Sequence, residues 1–316
     1  MSNAPALEST EVAYIFPGQG SQAVGMGADL YSESPTARQV FEQADDVLGF
    51  SLSKLCFSGP EDELRQTANA QPAILATSMA AMAALAEARG YGTPEAPRFV
   101  AGHSLGEYTA LVAAGALTFE DALRLVRERG RLMHEAGQVK EGGMAAILGL
   151  DLALVEQLCQ QTGAEIANIN SDGQIVISGA KQALVEALDL SRAMGARRAM
   201  PLVVSGAFHS SLMEPAVAGL ARALDQTRFA PPAIPVISNC TGQPLADQAS
   251  IHHELMQQIC RCVQWSKSVQ YMANNGVETF LEIGPGRVLT GLVKRIAKEA
   301  QTFNIDSMAS VRTVAA

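Results

Sequence analysis

A parallel α/β sheet wound with helices, carrying a small second unit inserted in the chain, is the fold that the sequence predicts. Three observations point to it. Short apolar segments alternate with helical ones over most of the 316 residues, as in a parallel sheet with crossover helices. Several of those apolar segments stop at glycine-rich turns. Between about 138 and 207 the order changes to β-α-β-β-α-β, a pattern that builds a separate small sheet.

Each element has its own justification. Residues 12–16 (VAYIF) form a short buried strand that runs into the turn Pro17-Gly18-Gln19-Gly20-Ser21-Gln22. Residues 70–89 are rich in Ala and Met and favour helix. Residues 98–101 form a strand ending at Gly102-His103-Ser104-Leu105-Gly106, and the alanine-rich 107–114 continue as helix. The middle of the chain reads as strand 144–150, helix 152–161, strands 165–169 and 174–178 across the turn Asn170-Ser171-Asp172-Gly173, helix 181–194 and strand 197–203. That is the split motif of ferredoxin-like domains. The expected division is a large α/β domain over 1–137 and 208–316, interrupted by an inserted domain over 138–207 that is entered through the glycine-rich 137–143. Beyond it come a strand at 234–238, helices at 251–259 and 266–274, a strand at 279–283 ending in Gly284-Pro285-Gly286, and a helix at 288–298. The last dozen residues carry no clear pattern and are expected to fray.

Composition narrows the function classes. A formal charge of −9 with a pI near 5.1 argues against nucleic acid and anionic membrane as partners. Residues 1–11 lack a basic region followed by an apolar run, and the longest apolar stretch, 73–86, is too short for a bilayer. A cytoplasmic protein is expected. Five cysteines form no C-x-x-C pair, so neither a metal site nor a disulfide framework is expected.

Gly102-His103-Ser104-Leu105-Gly106 matches G-x-S-x-G between a strand and a helix, the nucleophile turn of an α/β-hydrolase-like sheet. Such a turn exposes the Ser104 hydroxyl, and the Leu105 amide at the helix N-terminus can face a developing oxyanion. The hydroxyl needs a base. Of the five histidines, His103 is tied to the same turn, His134 lies on a charged helix, and His252 and His253 belong to a polar helix. His209 sits where the inserted unit ends and the next helix begins, a junction where clefts form. The alternative for each residue is structural: a turn serine, a loop histidine.

The helix expected from 119 to 136 has an apolar stripe of Ala122, Leu125, Val126, Leu132, Met133 and Ala136. Arg129 falls in the middle of that stripe, one heptad from Ala122 and from Ala136. A guanidinium aimed inward needs a partner. One reading is an internal salt bridge to Glu107 or another acid. The other is a substrate carboxylate, which the planar fork of an arginine grips with two parallel hydrogen bonds.

FPGQGSQ (16–22), GHSLGEY (102–108), RERGRLM (127–133), AFHS (207–210), CVQWSKSV (262–269) and EIGPG (282–286) occur in that order. Together they resemble the malonyl-CoA:acyl carrier protein transacylases of bacterial fatty acid synthesis, over about residues 11–297. The resemblance implies a large α/β domain with an inserted ferredoxin-like domain, and it implies roles. Ser104 is the acylated nucleophile and His209 its base; Gln19 and Leu105 supply the backbone N–H groups of the oxyanion hole; Arg129 binds the malonyl carboxylate. Gln264 matches the glutamine whose backbone carbonyl steadies the histidine. Asn170 and Gln71 match positions near the site. Phe208 gives the A-F-H pattern linked to malonyl selection in polyketide acyltransferases, with its ring crowding a methyl branch.

The resemblance further implies malonyl-CoA and holo-acyl carrier protein as substrates, no metal or redox cofactor, and a monomer. The carrier is expected to be acidic and to dock on a basic patch at Lys294, Arg295 and Lys298. Two other readings stay open. A trans-acting malonyl loading enzyme of a polyketide synthase shares every motif. A serine thioesterase or hydrolase shares G-x-S-x-G, but its acid and histidine come near the C-terminus, whereas His209 is followed by more than a hundred residues.

Overall fold

The computed structural model of the chain describes residues 11–90 and 96–315. The expectation of no leader rests on residues 1–11, and 1–10 of these lie outside the described residues. The strands among the described residues are, in chain order, β1 (Val12–Phe16), β2 (Phe99–Gly102), β3 (Gly142–Leu148), β4 (Glu165–Ser171), β5 (Gln174–Ala180), β6 (Arg198–Pro201), β7 (Val236–Ile237), β8 (Thr279–Ile283) and β9 (Gln301–Ile305).

One sheet has the order β7-β2-β1-β8-β9, and every neighbouring pair in it is parallel. Strand β1 is buried along its whole length, which is why it reads as an unbroken apolar run. From β1 the chain goes to β2 on one side and reaches β8 on the other. The loops after β1 and β2 therefore open a crevice at the carboxyl ends of the strands, where α/β sheets bind ligands. Glu282 on β8 accepts from the N–H groups of Leu289 (3.0 Å) and Thr290 (2.7 Å). It thus caps the helix Val288–Ile296 and fixes it beside that crevice.

The second sheet has the order β4-β5-β3-β6, antiparallel throughout. It is covered by the helices Leu152–Thr162 and Lys181–Ala193. Ile147, Val155, Leu158, Ile175, Ile177 and Leu184 form a core of its own. Two backbone hydrogen bonds tie it to the rest, Ile169 N–H to Val263 O and Val263 N–H to Ala167 O, both 2.9 Å.

The helix carrying Arg129 runs Phe119–Val139, with the Thr118 hydroxyl accepting from Asp121 N–H at its start. It packs along the helix Thr67–Ala88. Glycine at 130 permits this approach, because a Cβ there would lie 2.6 Å from the Thr67 carbonyl oxygen.

The structure corrects the sequence reading at two strands and the tail. The strand expected over 234–238 has only two residues; Pro235 has no N–H for a ladder, and the chain turns at Ser238 to reach the site. The strand expected over 197–203 stops at Pro201, leaving Val203 86% exposed. The C-terminal residues are not frayed. β9 pairs with β8 over its full length, and the helix Met308–Ala315 buries Met308 and Val311 against the helix Thr67–Ala88. An edge strand with one buried residue, Ile305, has too little periodicity to be seen in sequence. No helix among the described residues is long and apolar enough to cross a membrane.

Candidate active site

β2 delivers its last residue, Gly102, to a turn whose next residues open the helix Leu105–Ala113. The turn is tight enough that a Cβ on Gly106 would fall 2.1 Å from the Phe16 carbonyl oxygen. Ser104 takes φ 53 and ψ −105, a conformation that costs energy for a residue with a side chain. Asn239 holds it there: its Oδ1 accepts from Ser104 N–H (2.7 Å), and its Nδ2 donates to Gly102 O (2.7 Å). Leu105 is the first helical residue, so its N–H has no intrahelical acceptor and is free to face the crevice.

His209 is the only other non-glycine residue with positive φ among the described residues, at 57°. Both strained residues thus sit at one place. The His209 Nε2 lies 2.8 Å from Ser104 Oγ, and its Nδ1 lies 2.7 Å from the Gln258 carbonyl oxygen. A carbonyl only accepts, so the Nδ1 carries the proton and Nε2 presents its lone pair to the serine hydroxyl. Burial, aided by the Arg129 charge, pushes His209 down to about 3, so the ring is neutral at pH 7 and its Nε2 lone pair faces the serine hydroxyl.

Arg129 is 1% exposed. Its Nη1 donates to Gln71 Oε1 (2.8 Å), and its Nη2 donates to Gln258 Oε1 (2.8 Å) and to Ser104 Oγ (3.2 Å). The guanidinium also lies over the Tyr108 ring, 5.3 Å from its centroid. No acid among the described residues is within ion-pair distance of it. The internal salt bridge to Glu107 does not form; Glu107 accepts instead from Asn239 N–H (2.9 Å) and Gln258 Nε2.

Gln264 is a correction. Its backbone carbonyl does not meet His209; it accepts from Ser268 N–H (3.0 Å) inside the helix Trp265–Asn274. The carbonyl on His209 is that of Gln258, the last residue of the helix Gln248–Gln258, where carbonyls have no helical donor. Sequence reasoning missed Gln258 although a signal existed. Ile251, Leu255 and Gln258 share one buried face at i, i+4 and i+7, the same polar-on-apolar anomaly that singles out Arg129. Asn239, in a turn after a two-residue strand, carried no such signal.

The other expected residues gather around a cavity of about 580 Å³ that Gln19, Ser104, Leu105, Arg129, Phe208 and His209 line. Gln19 is anchored by its side chain to Thr67 Oγ1 (3.2 Å). Asn170, on β4, meets His103 Nε2 at 2.9 Å, so His103 is turned away from the serine as its place on the turn implies. Gln71 lies behind Arg129. Phe208 is 6% exposed and its carbonyl accepts from the Ser178 hydroxyl (2.5 Å), joining β5 to the histidine turn.

A family model described as the acyl transferase domain matches residues 13–314. The malonyl CoA-acyl carrier protein transacylase of Bacillus subtilis (strain 168) is 44% identical over 301 residues, covering 94% of this chain and 93% of the relative. The chain belongs to this transacylase family. The malonyl CoA-acyl carrier protein transacylase of Escherichia coli (strain K12) is 44% identical over 291 residues, 91% of this chain and 93% of its own. Among solved structures, an acyl carrier protein S-malonyltransferase from Vibrio cholerae superposes with a TM-score of 0.92 at 42% identity, covering 96% of this chain and all of that one. A malonyl-transacylase in complex with a type II polyketide synthase acyl carrier protein also gives 0.92, at 43% identity, over 96% of this chain and 99% of that one. As a transacylase-family enzyme, the chain has the mixed α/β organisation of those neighbours, a parallel sheet with a smaller antiparallel one.

Proposed function

We propose that the enzyme moves the malonyl group of malonyl-CoA to the phosphopantetheine thiol of acyl carrier protein, for fatty acid synthesis, through a malonyl-Ser104 intermediate. One observation carries this reading: a buried arginine without an acid partner reaches to 3.2 Å from the nucleophilic oxygen. A malonyl carboxylate supplies the missing charge there, while its thioester carbonyl meets Ser104.

His209 takes the Ser104 proton as Oγ attacks the thioester carbonyl, and the Gln258 carbonyl on Nδ1 steadies the imidazolium that forms. The Gln19 and Leu105 N–H groups receive the oxyanion, each worth about 3 kcal/mol in such sites. His209 returns the proton to the coenzyme A sulfur as it leaves. The carrier thiol then repeats the steps in reverse. One thioester replaces another, so the exchange is close to balanced, and it requires no metal or redox cofactor. Gln71 holds the far side of Arg129, Asn170 keeps His103 off the nucleophile, and the Phe208 ring narrows the cavity against a branched acyl group.

The same reading extends to organisation. The strand order of the small sheet and its β-α-β-β-α-β connectivity support a ferredoxin-like domain over 138–207, inserted in a hydrolase-like domain over 1–137 and 208–316. The reading includes a monomer working in the cytoplasm.

An acyl-CoA panel with holo-carrier, read by mass, tests the reading. Malonyl-CoA should give a stoichiometric Ser104 adduct and a malonylated carrier, with little free malonate. In Arg129→Ala, malonyl transfer should fall roughly 10- to 100-fold further than acetyl transfer, the size of a lost charge-assisted contact. Equal losses for the two acyl groups would show that Arg129 is structural.

A further inference from the structure

The three acceptors around the Arg129 guanidinium are Gln71 Oε1, Gln258 Oε1 and Ser104 Oγ, all neutral. A cation this deeply buried is ordinarily matched by an acid. The acid in the neighbourhood is Glu107, and it stands one residue further back. Its Oε1 accepts from Asn239 N–H, and its Oε2 accepts from Gln258 Nε2. The Gln258 amide also donates to the Ser104 carbonyl oxygen at 2.9 Å. A primary amide donates from one end and accepts at the other, so what binds its NH2 decides which group its carbonyl faces. With two oxygens on the NH2, the Gln258 carbonyl is left for Arg129. Burial and the neighbouring Glu254 carboxyl push Glu107 well above the usual carboxylate range, and both of its oxygens are taken up by Asn239 and Gln258 rather than by the arginine.

We infer that Glu107 sets acyl-group selectivity at one remove: by engaging the Gln258 NH2 it turns that side chain's carbonyl onto Arg129, which is then aimed at Ser104 by neutral acceptors with its charge left for an acyl carboxylate. The inference rests on the reading of Arg129 as the malonyl receptor. Glu107 and Gln258 act as positioning residues, and neither touches the acyl group.

Two variants test it from opposite ends. Glu107→Gln leaves one oxygen for two donors, the Asn239 N–H and the Gln258 NH2, so the amide keeps only the Ser104 carbonyl to orient it. Gln258→Glu keeps an acceptor on Arg129 but adds a counter-charge. Transfer from malonyl-CoA and acetyl-CoA to holo-carrier is measured as kcat and KM for each variant, with thermal melts to check folding. In both variants the malonyl-to-acetyl ratio of kcat/KM should fall about ten-fold or more, chiefly through a higher KM for malonyl-CoA. A ratio unchanged in either folded variant overturns the inference, since a merely structural role lowers both acyl groups alike. Should Glu107→Gln fail to fold, the ratio in Gln258→Glu decides alone. Absence of malonyl preference in the unmodified enzyme would sink the proposed function itself, which keeps the two failures apart.

Discussion

His209 occupies a left-handed backbone conformation, is buried, and has a cation next to it. Each of these disfavours its charged form or its ordinary geometry, and together they leave a neutral ring with Nε2 2.8 Å from Ser104 Oγ. The same placement has a consequence for stability. The unfolded imidazole titrates near 6.5 and the folded one near 3, so between those values the unfolded chain binds the extra proton and acid favours unfolding. The contribution of His209 to stability is therefore complete above about pH 6.5 and is lost as pH falls toward 3. Melting temperatures of His209→Gln and of the unmodified enzyme, followed from pH 7.5 to 4.5, should converge or cross as pH drops. Parallel curves would mean that His209 is not held neutral by the fold. In the proposed mechanism Arg129 and Ser104 follow the same logic at residue scale: a buried charge and a strained turn are what that chemistry would use.

At the scale of elements, the site depends on two helices lying almost in backbone contact. Gly130 follows Arg129 directly, and a methyl group there would meet the Thr67 carbonyl and the Ala68 backbone at 2.6 to 2.9 Å. Gly130→Ala should therefore push the helix Phe119–Val139 off the helix Thr67–Ala88 and draw Arg129 away from Gln71. The expected cost is about 1–3 kcal/mol of stability, as for other overpacked contacts. Malonyl transfer should suffer more than acetyl transfer. A variant of normal stability and selectivity would show that the helix pair has slack. The helix Gln248–Gln258 makes the complementary point: it ends so that one residue offers its carbonyl to His209 and its side chain to Arg129. Carbonyls at helix ends are the ones available for such work, and a register shift of one residue would lose both contacts.

Taken as a whole, the molecule is acidic, yet one end of the helix Val288–Ile296 carries Lys294 and Arg295, with Lys298 just beyond. Val288, Leu289 and Leu292 of that helix line the cavity, so the basic cluster continues the element that forms one of its walls. Arg295 also reaches Gln174 on β5, which places it between the two sheets. An acidic carrier protein docking there would bring its thiol arm to the cavity. Charge reversal at Lys294 and Lys298 should raise the KM for the carrier several-fold, and more steeply at low salt, because rim charges act mainly on encounter. An unchanged carrier KM at low ionic strength would move the docking face elsewhere.

Local chemistry was legible in the sequence: a serine at a strand-to-helix turn, a histidine at a junction, and an arginine where periodicity asks for an apolar residue. The alternation of strands and helices and the inserted β-α-β-β-α-β unit were legible for the same reason, since turns and hydrophobic periods are properties of neighbours in the chain. Contacts between distant segments were not. Gln264 and Gln258 are six residues apart, and nothing local says which carbonyl ends a helix opposite His209. β9 and the helix Met308–Ala315 look patternless because β8 and the helix Thr67–Ala88 supply their order from outside. The tertiary structure alone decided that Arg129 meets glutamines rather than Glu107, because the choice between a salt bridge and a waiting cation depends on where two helices place their side chains in space.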